Sequence, residues 1–181
     1  MSEVSDRYNS VADGFVGRLA GVTEAQWADP TPCTEWTVRD LVAHVVGTQR
    51  MVGATLGGEA EPVDDDVDLG TAFAEARALV ERALADPEKA TTVVGGTFGV
   101  QPFESLVSRL LVADTLIHTW DLARATGQDE QLDANSVATA TAFLTPIDEA
   151  IRRPGGFSAK LEPAADADQQ SRLLAFCGRA V

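Results

Sequence analysis

The sequence contains two histidines, His44 and His118, and an aspartate, Asp114, four residues before the second of them. Both histidines fall in apolar stretches with helical periodicity. A carboxylate and an imidazole four residues apart share one face of a helix. Together with an imidazole from a neighbouring helix, they could hold a divalent metal ion and leave positions open for water or substrate. The spacing therefore points to a metal site built from two helices.

The same residues also allow a plainer interpretation. A histidine in a helix is commonly a core residue hydrogen-bonded to backbone or to a carboxylate. Oppositely charged side chains four residues apart on a helix also occur as simple ion pairs. On a helical projection, Asp114, His118 and Asp121 lie on a face that is otherwise apolar. A carboxylate buried there needs a cation, a hydrogen-bond donor or a metal. The residues alone leave a metal site and a buried polar cluster as competing hypotheses.

Two neighbouring residues have open roles. Asp121 could accept a hydrogen bond from the imidazole of His118, or it could pair with Arg124. Cys33 lies in a loop ahead of the second helix, and we expect a packed thiol there rather than a redox-active one. Cys33 and Cys177 are the two cysteines of the chain. They are far apart and lack metal-ligand spacing, so both are expected to be free thiols.

The elements that must position these residues are mainly helical. Runs with proline predict loops at 27–36 and 59–68, and β-branched residues with glycines predict a minor strand or hairpin at 91–96. Pro146 predicts a kink or break in the fifth helix, and Pro154-Gly155-Gly156 its end. Apolar residues at intervals of three and four predict helices over 3–19, 38–56, 69–85, 102–126, 134–152 and, at the end of the chain, 166–176.

The expected fold class is all-α. These elements predict a four-helix bundle with long connections, a minor β element and a short C-terminal helix. A chain of 181 residues can bury a core without disulfides, and no second domain is apparent, so we expect a single helical domain over 1–181.

Composition excludes several classes of partner. The chain has 28 acidic and 14 basic residues, a formal net charge of −14, which would repel a nucleic acid or an anionic membrane surface. The first residues are acidic and polar, unlike a secretory leader, and no apolar run reaches membrane-spanning length. We therefore expect a cytoplasmic protein that binds neither nucleic acid nor membrane.

Three segments carry a resemblance to a known family. They are Trp27 and TPC at 31–33 followed by WTVRDLVAH at 36–44, then ADTLIHTWDLARATG at 113–127, and LLAFCGR at 173–179. In these segments the chain resembles the metal-binding domain of the mycothiol-dependent maleylpyruvate isomerases, which belongs to the DinB-like four-helix bundles. The resemblance implies a DinB-like fold and a bound divalent metal, usually zinc or nickel. It also implies a ligand set of His44, Asp114 and His118.

The chain departs from this family pattern in two respects. The isomerase has glutamate, and many DinB-like relatives have histidine, where this chain has the shorter Asp114. The isomerase also has a second, C-terminal domain with no apparent counterpart here, so its particular substrate does not carry over. The resemblance still implies that an open metal position binds a low-molecular-weight thiol such as mycothiol, lowers its pKa and presents it to an electrophile.

Three functions remain in competition. The leading hypothesis is a metal-dependent transferase or isomerase that uses a thiol cofactor on a small-molecule substrate. The first alternative is a non-catalytic helical bundle that binds a metal or a small molecule, with a homodimer among its expected forms. The second alternative is an interaction protein in which the two histidines and Asp114 form a buried polar cluster.

Overall fold

The protein is helical along most of its length. The structure is a computed structural model that describes residues 2–96, 98–152 and 157–181. Among these residues, no helix is long and apolar enough to cross a membrane. The helices are α1 Glu3–Ala20, α2 Val38–Ala54, α3 Leu69–Ala85, α4 Pro87–Thr91, α5 Phe103–Leu106, α6 Val112–Thr126, α7 Ala134–Leu144, α8 Asp148–Ile151 and α9 Gln169–Phe176.

Four of these helices, α1, α2, α3 and α6, form the bundle. Helix α1 packs against α3 and α6, and α2 packs against the same two helices, so the four close on one another. Helix α6 is central: every residue from Val112 to Ala123 is buried except Asp114, which is partly exposed. The predicted all-α bundle with a short C-terminal helix is confirmed.

Local signals in the sequence explain where the bundle helices begin and end. Thr37 caps α2 by accepting a hydrogen bond from the backbone N–H of Asp40, whose carboxylate accepts one from the backbone N–H of Thr37. Asp68 caps α3 in the same way through the N–H of Thr71. Gly127, with a φ of 68°, takes the left-handed conformation that ends α6. These caps fix the start of the helix that carries His44 and the end of the helix that carries Asp114 and His118.

The minor β element is a two-stranded antiparallel sheet. Strand β1, Val93–Val94, pairs with β2, Gln101–Pro102. The predicted strand begins too early, because Thr91 ends the short helix α4, which was not predicted. Pro102 lies in β2 rather than in the first turn of the following helix. Proline has no backbone N–H to donate to a neighbouring strand. It fits in β2 because β2 is an edge strand of this two-stranded sheet.

The predicted fourth helix is continuous but not uniform. A π-helical segment, Val107–Leu111, joins α5 to α6. There the N–H of Val112 donates to the carbonyl of Val107, five residues earlier. Apolar periodicity does not distinguish one wide turn from a regular one, so this segment could not be predicted from the sequence.

The C-terminal part of the chain follows the prediction with shorter helices. The expected break at Pro146 is a 3₁₀ turn, Thr145–Ile147, between α7 and α8. The predicted terminal helix begins at Gln169 rather than 166, because Asp168 caps it. The predicted end at Pro154-Gly155-Gly156 lies outside the described residues.

A buried hydrogen-bond chain sets α1, α2 and α6 in register beside Asp114. The hydroxyl of Tyr8 donates to Oε1 of Gln49 at 2.7 Å, and Nε2 of Gln49 donates to Oγ1 of Thr115 at 3.0 Å. Gln49 and Thr115 are 1% and 0% exposed. Because buried polar groups need partners, each of the three residues fixes the position of the next.

Replacing Gln49 by methionine should therefore weaken the bundle. Gln49→Met keeps the side-chain length but leaves two buried hydroxyls without their partner, which should lower the free energy of unfolding by about 1–3 kcal/mol. Urea unfolding measures this loss. Gln131→Met, at an exposed position, is the matched control and should change stability little. Equal effects of the two substitutions would contradict the buried chain.

Candidate metal centre

The three predicted ligands meet between α2 and α6. Nε2 of His44 lies 3.1 Å from Oδ1 of Asp114, and Nε2 of His118 lies 3.6 Å from the same oxygen. The candidate ligand atoms of the three residues all lie within 4.8 Å of one another. The two imidazole rings are 5.0 Å apart, edge to face. The structure thus brings together all three residues that the sequence singled out.

Packing of the two helices positions these side chains. His44 precedes the fully buried Val45 on α2, and His118 follows the fully buried Ile117 on α6. The backbone of both helices is therefore fixed by the core. The side chains differ in access: His44 is 35% exposed, Asp114 15% and His118 8%. The cluster is open toward solvent on the His44 side.

The spacing of the donor atoms fits ligands of one metal ion. Two ligands about 2.1 Å from a tetrahedral zinc ion lie roughly 3.4 Å from each other. The distances of 3.1 and 3.6 Å to Oδ1 of Asp114 lie on either side of this value. Oδ2 of Asp114 is buried and has no hydrogen-bond partner among the described residues. An orphaned carboxylate oxygen beside two imidazole nitrogens is the arrangement that a cation would complete.

The charges of the cluster stabilise one another. Burial by itself would raise the pKa of Asp114, but the charge of His118 and the hydrogen bond with His44 outweigh it, so the pKa is lowered. Burial would lower the pKa of His44, and its hydrogen bond to Asp114 reverses this, so that pKa is raised. Asp114 is therefore an anion at neutral pH, as a metal ligand must be.

Asp121 takes the first of its two predicted roles. Nδ1 of His118 lies 2.9 Å from Oδ2 of Asp121, a hydrogen bond that places the ring proton on Nδ1 and leaves Nε2 facing Asp114. Arg124 pairs instead with Glu130. Burial would raise the pKa of Asp121, but hydrogen bonds from His118 and Arg179 lower it to about 2. Asp121 is thus a buried acceptor for the Nδ1–H of His118 and is charged at neutral pH.

Arg179 joins this cluster from the end of the chain. Its Nε donates to Oδ1 of Asp121 at 3.1 Å and its Nη2 to Oδ2 at 2.7 Å, a two-point ion pair in which Arg179 is 7% and Asp121 0% exposed. Nη2 also donates to Sγ of Cys33 at 3.2 Å. Residue spacing could not predict this role of Arg179, because 58 residues separate it from Asp121. The one signal was its place at the end of the LLAFCGR segment.

Both cysteines are free, as predicted. Burial, followed by the charge of Asp121, raises the pKa of Cys33 to about 12. Burial likewise raises the pKa of Cys177 to about 12. The thiol of Cys33 donates to Oδ2 of Asp121 at 3.5 Å. Since the thiolate is the nucleophile, the contacts of Cys33 indicate a packed, inert thiol.

A cavity of about 350 Å³ opens onto the cluster. Its walls come from the loop before α2, from α2 and α6, from the end of α8 and from the C-terminal segment. The ring of Trp36 lies over both imidazoles, 4.6 Å from His44 and 5.7 Å from His118 between centroids, a position that the sequence did not predict. The lining residues are Pro32, Cys33, Thr34, Glu35, Trp36, His44, Phe98, Asp114, His118, Ala150, Ile151, Phe157, Ser158, Gly178 and Arg179.

The fold and the arrangement of the cluster agree with a family assignment. The family model of the mycothiol maleylpyruvate isomerase N-terminal domain matches residues 9–123. The chain belongs to this family. The matched region contains His44, Asp114, His118 and Asp121, and it ends well before Arg179.

Relatives with similar sequences span nearly the whole chain. Two uncharacterized proteins of Mycobacterium tuberculosis, from strains CDC 1551 and H37Rv, are each 34% identical over 174 residues. The alignments cover 93% of this chain and 93% of each relative. No solved structure matches the chain.

The contacts of the two cysteines predict slow thiol chemistry. In the native protein at neutral pH, Cys33 and Cys177 should react with a chromogenic disulfide reagent far more slowly than in the denatured protein, because burial raises the pKa of both thiols and keeps them protonated. In denaturant the same titration should count two thiols per chain, as expected for free cysteines. A thiol that reacts rapidly in the native state would contradict the packed role of its cysteine.

Proposed function

We propose that the protein binds a divalent metal ion through His44, Asp114 and His118 and acts as a thiol-dependent transferase or isomerase on a small electrophile. The observation that supports it most is the convergence of two imidazole nitrogens on one oxygen of a buried carboxylate whose other oxygen has no partner among the described residues. Family membership adds support, since the family's name refers to mycothiol and to an isomerase.

The donor set favours zinc or nickel. Two imidazoles and one carboxylate are typical of catalytic zinc sites, which take three protein ligands and keep a further position for water or substrate. Nickel accepts the same nitrogen and oxygen donors. The cavity beside His44 and Trp36 gives the open position access to a ligand. The shorter Asp114, in place of glutamate, keeps its carboxylate close to the α6 backbone and so sets the ion near that helix.

The chain's own residues account for the rest of the proposed chemistry. When bound, the ion supplies Lewis acidity that lowers the pKa of a thiol. Asp114 contributes one negative charge, so the site would keep a net positive charge that favours a thiolate. Trp36, Phe98 and Phe157 give the cavity apolar walls that would hold a small substrate and exclude water. Because burial keeps Cys33 protonated, the reacting sulfur would come from a cofactor such as mycothiol.

Metal binding should require the two ligands of α6, Asp114 and His118. Isothermal titration of the protein with zinc chloride should give one ion per chain. Asp114→Ala or His118→Ala should abolish binding with the fold retained, because the bundle is stabilised mainly by packing. Asp66→Ala, which removes an exposed carboxylate from the acidic loop, is the matched control and should bind zinc like the parent. Thermal melting of each variant would show whether the fold is retained. Loss of the fold together with loss of zinc binding would indicate a structural site instead.

Turnover should require both the metal and an added thiol. With a small electrophile such as a chlorinated nitrobenzene, mass spectrometry should detect the product joined to the added thiol and no adduct on the protein. Activity should disappear after chelation, return with zinc or nickel, and be absent in Asp114→Ala. An adduct on Cys33 or Cys177 that forms and decays during turnover would contradict the proposed source of the sulfur.

The non-catalytic alternative differs in one measurable respect. A helical bundle that only binds a metal or a small molecule would bind zinc with the same ligand dependence. It would not accelerate any thiol transfer above the rate given by the metal and the thiol in solution. Rates measured with a panel of electrophiles against that background separate the two functions.

A further inference from the structure

A charged pair, Asp121 and Arg179, contacts the Nδ1 side of the proposed metal ligand His118. Its Nδ1–H donates to Asp121, and Asp121 in turn accepts two hydrogen bonds from Arg179. Arg179 comes from the C-terminal segment, outside the region that the family model matches. Through Asp121, the C-terminal segment is thus linked to the Nδ1 side of His118, a candidate metal ligand.

Arg179 has little capacity left for a substrate. Of the five N–H groups of an arginine, Nε and one on Nη2 donate to Asp121, another on Nη2 donates to Sγ of Cys33, and one on Nη1 donates to the carbonyl of Cys177. The guanidinium also lies 5.5 Å from the ring of Phe157. Four committed donors and 7% exposure describe a residue that is bound to the protein rather than free to recognise a ligand.

A second metal site at this place does not fit the contacts. Cys33, His118 and Asp121 also have donor atoms close together. The guanidinium of Arg179 lies 3.2 Å from Sγ of Cys33 and 2.7 Å from Oδ2 of Asp121, however, and it already occupies the position of a cation. The arginine therefore takes the role that a metal would have in this group.

We propose that Arg179 is a positioning residue for His118. By binding both oxygens of Asp121, it holds that carboxylate in one orientation, where it accepts the Nδ1 proton of His118 and leaves Nε2, on the side of Asp114, as the nitrogen available to a metal ion. Hydrogen bonds of this kind to a metal-ligating imidazole set its tautomer and orientation, and their loss typically reduces metal affinity 10–100-fold. A residue 61 positions further along the chain, Arg179, thus helps to orient His118 as a ligand.

This inference rests on the proposed metal function, and its test separates the two. The chain has two histidines, so ¹⁵N-labelled histidine gives two imidazole spectra. They can be assigned with His44→Gln, and they report the tautomer of His118 in metal-free protein. At a pH where both rings are neutral, the parent should carry the His118 proton on Nδ1. Arg179→Gln should give a mixture of Nδ1–H and Nε2–H, because Asp121 is no longer held.

Zinc titration is the second measurement on the same variants. Arg179→Gln should reduce zinc affinity, by at most the roughly 10–100-fold expected when a ligating imidazole loses its own acceptor, and Arg179→Lys, which keeps the charge but not the two-point contact, should lose less. Arg172→Gln is the matched control: this exposed arginine of α9, seven residues before Arg179, donates among the described residues to the backbone carbonyls of Ala165 and Ala167 and should leave both readouts unchanged. Should Arg179→Gln fail to fold, Arg179→Lys and Asp121→Asn provide the same comparison.

The outcomes are distinct. An unchanged His118 tautomer together with unchanged zinc affinity in a folded Arg179→Gln would overturn the positioning role, even if its melting temperature fell. If the parent binds no zinc, the proposed metal function fails, and the tautomer comparison alone decides whether Arg179 positions His118. A shifted tautomer with reduced affinity, partly restored by lysine, supports the inference.

Discussion

The negative charge of Asp114, placed inside a helical bundle, is the constraint on which the arrangement of the site depends. A carboxylate removed from water needs compensating partners. Here two imidazoles meet at Oδ1, while Oδ2 has no partner among the described residues. His44 can reach Asp114 only because α2 packs against α6, and the buried hydrogen-bond chain of Tyr8, Gln49 and Thr115 next to it sets the register of these helices.

The helices and the three residues of the cluster could be predicted from the sequence, because residue spacing determines which side chains share a helix face. Asp114 and His118 are four apart on a helix of known period, and His44 lies on another helix whose cap, Thr37, is visible in the sequence. Arg179 and Trp36 could not be placed in this way. Both lie outside regular helices, and their contacts with the cluster depend on how the loop before α2 and the C-terminal segment fold over it. The short helix α4 and the π segment were missed because apolar periodicity does not resolve elements of one turn.

The site has two sides with different chemistry. Toward the cavity, Trp36 lies over the imidazoles, and His44 is the most accessible member of the cluster. Toward the interior, a fully charged pair, Asp121 with Arg179, is buried next to a thiol that burial keeps protonated. A buried ion pair is seldom retained for stability alone, since apolar residues of similar size often stabilise as well. The hydrogen bond from Nδ1 of His118 to Asp121 suits a role for this ion pair in orienting the imidazole ring.

The π segment Val107–Leu111 lies between two fixed points. On one side Pro102 pairs with Val93 in the small sheet, and on the other Asp114 is held at the site. A π turn holds one more residue than a regular helical turn, so the chain here carries the equivalent of a one-residue insertion. Over evolution, loss of a single residue between 107 and 111 would return the turn to α-helical geometry and leave both fixed points in place. A one-residue gap there, when related chains are aligned, is therefore no sign that Asp114 and His118 have been displaced.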